Sequence, residues 1–99
     1  MRIFTAIAVK TALKKGWVMK DLKIQCEEIG RMVEFHRKKS GLTQASAAKL
    51  AGIGKAGVYD IEHGKPSVQL DTLLKLLTVL NIRATYDGPL MQAYKTWKK

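Results

Sequence analysis

The sequence predicts a mainly α fold: a compact domain of four to five helices followed by one short C-terminal β-strand. Apolar residues recur at helical spacing from about Glu27 to Leu80, Gly-centred breaks cut that stretch into short pieces, and the period switches to two at Ile82. A length of 99 residues suits one domain, and 46% hydrophobic against 26% charged residues gives it enough apolar surface to fold.

Residues 1–26 read as an N-terminal extension. In "RIFTAIAV", Ile3, Thr5, Ile7 and Val9 alternate as on a strand, while Ala6, Ala8, Ala12 and Leu13 favour a helix, and both readings stand. Arg2 and the apolar run after it imitate a secretory signal. Lys10, Lys14 and Lys15 follow at once with no small-residue cleavage site, so the expectation is a chain kept in a reducing cytoplasm. "MKDLKIQCEEIG" from Met19 also reads as an ordinary start, an idea that the intact mass of the natural product tests.

The domain proper is expected over residues 27–81. Its first helix carries Ile29, Met32, Val33 and His36 at i, i+3, i+4, i+7, with Glu27 and Glu28 early and Arg37, Lys38 and Lys39 late, as the helix dipole prefers. Ser40-Gly41 ends it. Thr43 is a good N-cap for an Ala-rich second helix reaching Ala51, and Gly52 supplies a left-handed turn residue. A third helix runs from about Gly54 to His63, stopped by Gly64 and Pro66. A fourth covers residues 68–80, with Leu70, Leu73, Leu74, Leu77 and Leu80 as its core stripe. At residues 82–87, Ile82, Ala84 and Tyr86 alternate with Arg83, Thr85 and Asp87, the mark of a half-buried strand, which Asp87-Gly88-Pro89 ends. In the tail, residues 88–99, Leu90, Tyr94 and Trp97 face lysines across a short amphipathic helix.

Eighteen Lys and Arg against eight Asp and Glu leave a net +10, which points to a polyanionic partner, nucleic acid or an acidic membrane surface. No run approaches the length of a transmembrane helix. A single cysteine, Cys26, excludes an internal disulfide and a cysteine-based zinc site, and is expected as a buried small hydrophobe. Two histidines, His36 and His63, are too few for a metal cluster, so no metal and no cofactor is expected. Glu34 with His36, and Asp60 with Glu62, stand two apart and diverge on a helix. No nucleophile–His–acid set exists, so no catalytic residue is expected and the chain is not read as an enzyme.

"AGIGKAGVYDIEHGK", residues 51–65, contains G-x-G-x-x-G, the dinucleotide pattern. That pattern requires a buried strand before it and opens the helix of a βαβ unit. Here "TQASAAKLA" precedes it, and Asp71, at the distance of a ribose-binding acid, lies in the helical "VQLDTLLKLL". The context argues against the cofactor reading. Two short helices about a tight Gly turn instead have the helix-turn-helix geometry, whose second helix enters the major groove. Gly54 is a tolerable N-cap there, and Gly57 serves either close approach to DNA or packing against the preceding helix.

Residues 29–82, "IGRMVEFHRKKSGLTQASAAKLAGIGKAGVYDIEHGKPSVQLDTLLKLLTVLNI", resemble the phage-repressor-type (Xre/Cro-like) helix-turn-helix family, most closely its HipB-like antitoxin branch. The markers are Gly41-Leu42-Thr43-Gln44, Ala48 with Gly52, Ile61-Glu62 with Gly64-Lys65-Pro66, and "LDTLLKLL". Two departures stand out: Ala47 replaces the usual Leu, and Gly54 and Gly57 replace Ser or Thr. The resemblance implies that Thr43 and Gln44 touch phosphate and sometimes a base, that Gly54 lies at the DNA, and that Lys55, Ala56 and Tyr59 face the bases. Lys55 would reach guanine, Ala56 a thymine methyl, and Tyr59 a base or phosphate. It implies phosphate contacts from Lys38, Lys39 and Lys65, and a structural salt bridge between Arg37 and Glu62.

A lone strand is not stable, and the HipB-like resemblance implies that Ile82, Ala84 and Tyr86 pair across a homodimer on a palindromic operator; "RIFTAIAV" is a rival partner for that strand. The implied function is a repressor of its own operon in a toxin–antitoxin pair, cytoplasmic and nucleoid-associated in a bacterium, binding a HipA-type kinase toxin and no membrane. Two alternatives stay open: a free-standing phage or stress repressor, and a toxin-binding module acting through Tyr94 and Trp97 with DNA binding secondary.

Overall fold

The computed structural model describes residues 19–97, with side chains from residue 21. The expectations for residues 1–18, and for Lys98 and Lys99, lie outside the described residues. The helices are α1 (Met19–Lys39), α2 (Gln44–Ala51), α3 (Lys55–Glu62), α4 (Leu70–Val79) and α5 (Met91–Thr96). Residues 19–84 form one unit with α1 to α4, and residues 85–97, with α5, belong to another. Among the described residues no helix is long and apolar enough to cross a membrane.

α1 starts at Met19, well before the expected Glu27, and runs for 21 residues. Lys, Leu and Gln, all good helix formers, extend it backwards, with Asp21 in the first turn and His36, Arg37, Lys38 and Lys39 in the last. Its buried stripe differs from the expected one. Val33 is buried as expected, but Ile29 and Met32 are each 36% exposed, and Gly30 and Arg37 are buried in their place. A glycine and an arginine carry no hydrophobic signal, so the apolar spacing points to the neighbouring face.

Gly30 is where α1 meets the end of α3: a Cβ there would lie 2.5 Å from the Ile61 carbonyl oxygen and 2.6 Å from that of Glu62. Cys26, expected to be buried, is half-buried. Around Val33 the core gathers Ala47 and Ala48 of α2, Val58 and Ile61 of α3, and Leu76, Leu77 and Leu80 from α4 and its end. Ala47 is fully buried, so its neighbours close over the side chain that replaces the usual Leu.

On α4 the expected leucine stripe is partly corrected. Leu77 and Leu80 are buried and Leu73 packs on the core, but Leu70 and Leu74 are 68% and 38% exposed, and Leu76 is fully buried. "LDTLLKLL" satisfies helical spacing along two overlapping stripes, and contact with α2 and α3 selects between them.

α1 to α4 all end in one way. A residue in the left-handed region follows each helix, namely Gly41, Gly52, Gly64 and Asn81, with φ of 74°, 70°, 75° and 59°. The next amide closes a wider ring: Leu42 donates to Arg37, Ile53 to Ala48, Lys65 to Asp60 and Ile82 to Leu77. This is the Schellman arrangement, which satisfies carbonyls left over at a helix end. Thr43 starts α2 with a reciprocal cap: the Ser46 amide donates to Thr43 Oγ1 at 3.0 Å, and the Thr43 amide donates to Ser46 Oγ at 2.9 Å.

The strand expected at residues 82–87 is not formed; no described residue lies in a strand. Ile82 is half-buried and held by its amide on Leu77, while Arg83, Ala84, Thr85, Tyr86 and Asp87 are exposed. Alternation prepares two faces, but a strand needs a second edge to hydrogen-bond with, and period alone cannot supply one. In the 85–97 unit α5 has six residues with none buried, and Tyr94 and Trp97 are exposed.

Candidate nucleic-acid interface

Two helices converge on one carboxylate of a third. Glu62, in the last turn of α3, has a side chain only 1% exposed. Arg37 of α1 donates from Nε to Glu62 Oε2 at 2.5 Å and from its second terminal nitrogen to Oε1 at 3.0 Å. Gln44, the first residue of α2, donates Nε2 to Oε1 at 3.1 Å. Arg37 also donates to the Leu42 carbonyl at 2.9 Å, in the loop joining α1 to α2.

The hydrogen bond to Glu62 holds the Arg37 guanidinium above its ordinary pKa, against the cost of burial. Burial pushes the Glu62 carboxyl up, but hydrogen bonds from Arg37 and Gln44 and the Arg37 charge outweigh it and hold Glu62 below its ordinary value. The expected Arg37–Glu62 pair is therefore present and buried. Gln44, expected on phosphate, spends an amide hydrogen on this clamp. Its signal in the sequence was faint, since nothing local links residue 44 to residue 62.

The clamp fixes α3 against the segments that carry the other candidates. α3 begins at Gly54, which caps without a side chain, and turns Val58, Ile61 and Glu62 inward. Lys55, Ala56 and Tyr59 stand exposed on the other side, Tyr59 at 51%. Gly57 points inward: a Cβ there would meet Thr72 Cγ2 at 3.2 Å and Ile53 Cδ1 at 3.8 Å. Of its two expected roles packing holds, chiefly against α4 and the turn. The residues before Gly52 form α2, which agrees with the rejection of a βαβ context.

The remaining cations are less uniform than their sequence suggests. Lys65 Nζ lies 3.5 Å from Asp60 Oδ2, so an anion on the same surface competes for it. Lys38 lies 3.5 Å from Glu34, and Lys39 sits 5.7 Å from the Phe35 ring centroid. Thr43 is exposed but engaged in its cap with Ser46. Lys55 keeps an exposed side chain on α3 itself. His63, to which the sequence assigns no contact, stacks its ring on Tyr59 with centroids 3.8 Å apart. Its spacing of four from Tyr59 was the available signal.

This arrangement of two short helices about a Gly turn, the second presenting one exposed face, defines a helix-turn-helix protein. The chain matches the Helix-turn-helix family over residues 35–86, more than half its length. It is also similar to the uncharacterized HTH-type transcriptional regulator y4mF of Sinorhizobium fredii, with 38% identity over 53 residues, covering 54% of this chain and 70% of that protein. The chain belongs to the helix-turn-helix family.

Proposed function

We propose that the protein is a sequence-specific DNA-binding transcriptional repressor that lays α3 in the major groove. The observation that carries this reading is the outward face of α3, where Lys55, Ala56 and Tyr59 are exposed while Val58, Ile61 and Glu62 anchor the opposite side. A net charge of +10 supplies attraction to phosphate, and a regulator's name on the similar protein of Sinorhizobium fredii agrees with it. Lys55 donates to guanine O6 or N7, Ala56 packs on a thymine methyl, and Tyr59 reaches a base edge or phosphate. Thr43, Lys38, Lys39 and Lys65 meet the backbone. Selecting duplexes from a randomised pool and titrating the winners tests this. Enrichment of a two-fold symmetric site supports it, and equal affinity for every duplex removes the sequence-specific reading.

The active unit on this reading is a homodimer joined near Ile82, Ala84 and Tyr86. Leu70 and Leu74 of α4 leave apolar surface exposed at 68% and 38%, and Tyr86, in the other unit, is 73% exposed. More narrowly, the marker set at residues 41–66 and the "LDTLLKLL" run favour a HipB-like antitoxin, cytoplasmic and nucleoid-associated, with a HipA-type kinase toxin as partner and Tyr94 and Trp97 as its contact candidates. A kinase-like gene directly beside this one supports that assignment. Its absence favours a free-standing repressor.

A further inference from the structure

His63 closes α3, and its ring lies at 21° to the Tyr59 ring with centroids 3.8 Å apart. Its Nδ1 lies 2.8 Å from the Tyr59 carbonyl oxygen. A carbonyl only accepts, so Nδ1 carries the hydrogen. In the neutral ring Nε2 is then a bare lone pair, and the described residues give it no partner. The stack puts His63 on the face that carries Tyr59 and Lys55.

Eight residues separate Lys55 from His63, about 12 Å along a helix, and the major groove is about 12 Å wide. With the start of α3 at the groove floor, His63 arrives at the rim, where phosphates lie. A neutral His63 meets a phosphate oxygen lone pair against lone pair. Once Nε2 takes a proton from the buffer acid, the imidazolium donates Nε2–H to the phosphate and keeps Nδ1–H on Tyr59.

We propose that His63 is a DNA-phosphate contact that works only as the imidazolium, so that DNA binding takes up a proton at this residue. The inference rests on the DNA-binding reading above. The charged group that interacts with His63 is Glu62, matched by Arg37; Asp60 and Lys65, its neighbours in sequence, pair with each other, and Glu27 of α1 packs on Gly64 next to it in the chain. Tyr59 is the titratable ring it touches.

The test titrates the full chain, by fluorescence anisotropy, with a labelled duplex selected from a randomised pool, from about pH 6 to about pH 8 at fixed ionic strength. Affinity should fall with rising pH by up to about tenfold per pH unit per bound protomer. His63→Gln should flatten the profile at the weak, high-pH level, and His63→Arg should flatten it at the tight level. His36→Gln, which alters the other histidine, should keep the wild-type profile. At the low-pH end the salt slope of His63→Gln should be smaller by about one unit. A flat wild-type profile overturns the proposal, as does one unchanged in His63→Gln. A profile rising with pH overturns it too, in favour of Nε2 accepting from a base. Failure of the wild type to bind any duplex at any pH removes the DNA reading and this proposal with it, whereas pH-independent binding removes the proposal alone.

Discussion

Replacing Glu62 with Ala strips the clamp of its acceptor. Arg37, with a side chain 9% exposed, would keep its charge with one carbonyl, that of Leu42, as remaining acceptor, and Gln44 would lose its partner. Removing one member of a buried ion pair costs about 3–5 kcal/mol, because the surviving charge stays buried. A four-helix unit of this size has a total stability of about 3–10 kcal/mol, so the loss is a large share of it. Thermal and urea melts followed by far-UV circular dichroism should show a midpoint lower by about 12 °C or more. Arg37→Met combined with Glu62→Met should recover much of the loss, since an apolar pair leaves no orphaned charge.

The same clamp sets an acid limit. The folded Glu62 pKa lies below its unfolded value, so its contribution is fully present above about pH 4.5 and is lost as pH falls through the folded pKa. The double variant should lack that component. A Glu62→Ala cost within about 0.5 kcal/mol would show instead that the pair is solvated despite its geometry.

Gly30→Ala sets two effects against each other: helix propensity gains about 1 kcal/mol, while the new Cβ collides with the carbonyls of Ile61 and Glu62. Loss of about 2 kcal/mol or more is expected in a urea melt, and a stabilised variant would deny the close crossing. Lys55→Ala should cost about 1–3 kcal/mol on the selected duplex and relax preference at one base position, as read by competition with single-base variants. Lys65→Ala should weaken all duplexes alike and by less, since Asp60 already holds that ammonium at 3.5 Å, and Asp60→Asn should tighten all of them. Sedimentation should give about twice the chain mass, and Tyr86→Pro should weaken association by removing a backbone donor; a concentration-independent monomer would end the dimer reading.

What could be read from the sequence was local. Thr43 caps α2 with its own hydroxyl, and Gly41, Gly52 and Gly64 take the left-handed positions, whereas the face of α3 with Lys55, Ala56 and Tyr59 came from the family resemblance. The caps depend on residues within one or two turns, so the signal sits in a short window. The Arg37–Glu62 pair was legible through family resemblance alone, since 25 residues separate its members.

Tertiary structure decided the rest, and in each case the deciding neighbour is distant in sequence. Gly30 turns inward because the end of α3 crosses there, and Gly57 because Thr72 of α4 does. Leu76 rather than Leu70 enters the core because α2 and α3 fix the rotation of α4. Gln44 turns one amide hydrogen to Glu62 because that carboxylate, buried by other segments, still has a lone pair to fill. The alternation at residues 82–87 fails to become a strand for the converse reason. Sequence sets which faces a segment can offer, while hydrogen bonding and close packing need a partner surface that only the assembled fold, or a second molecule, brings within reach.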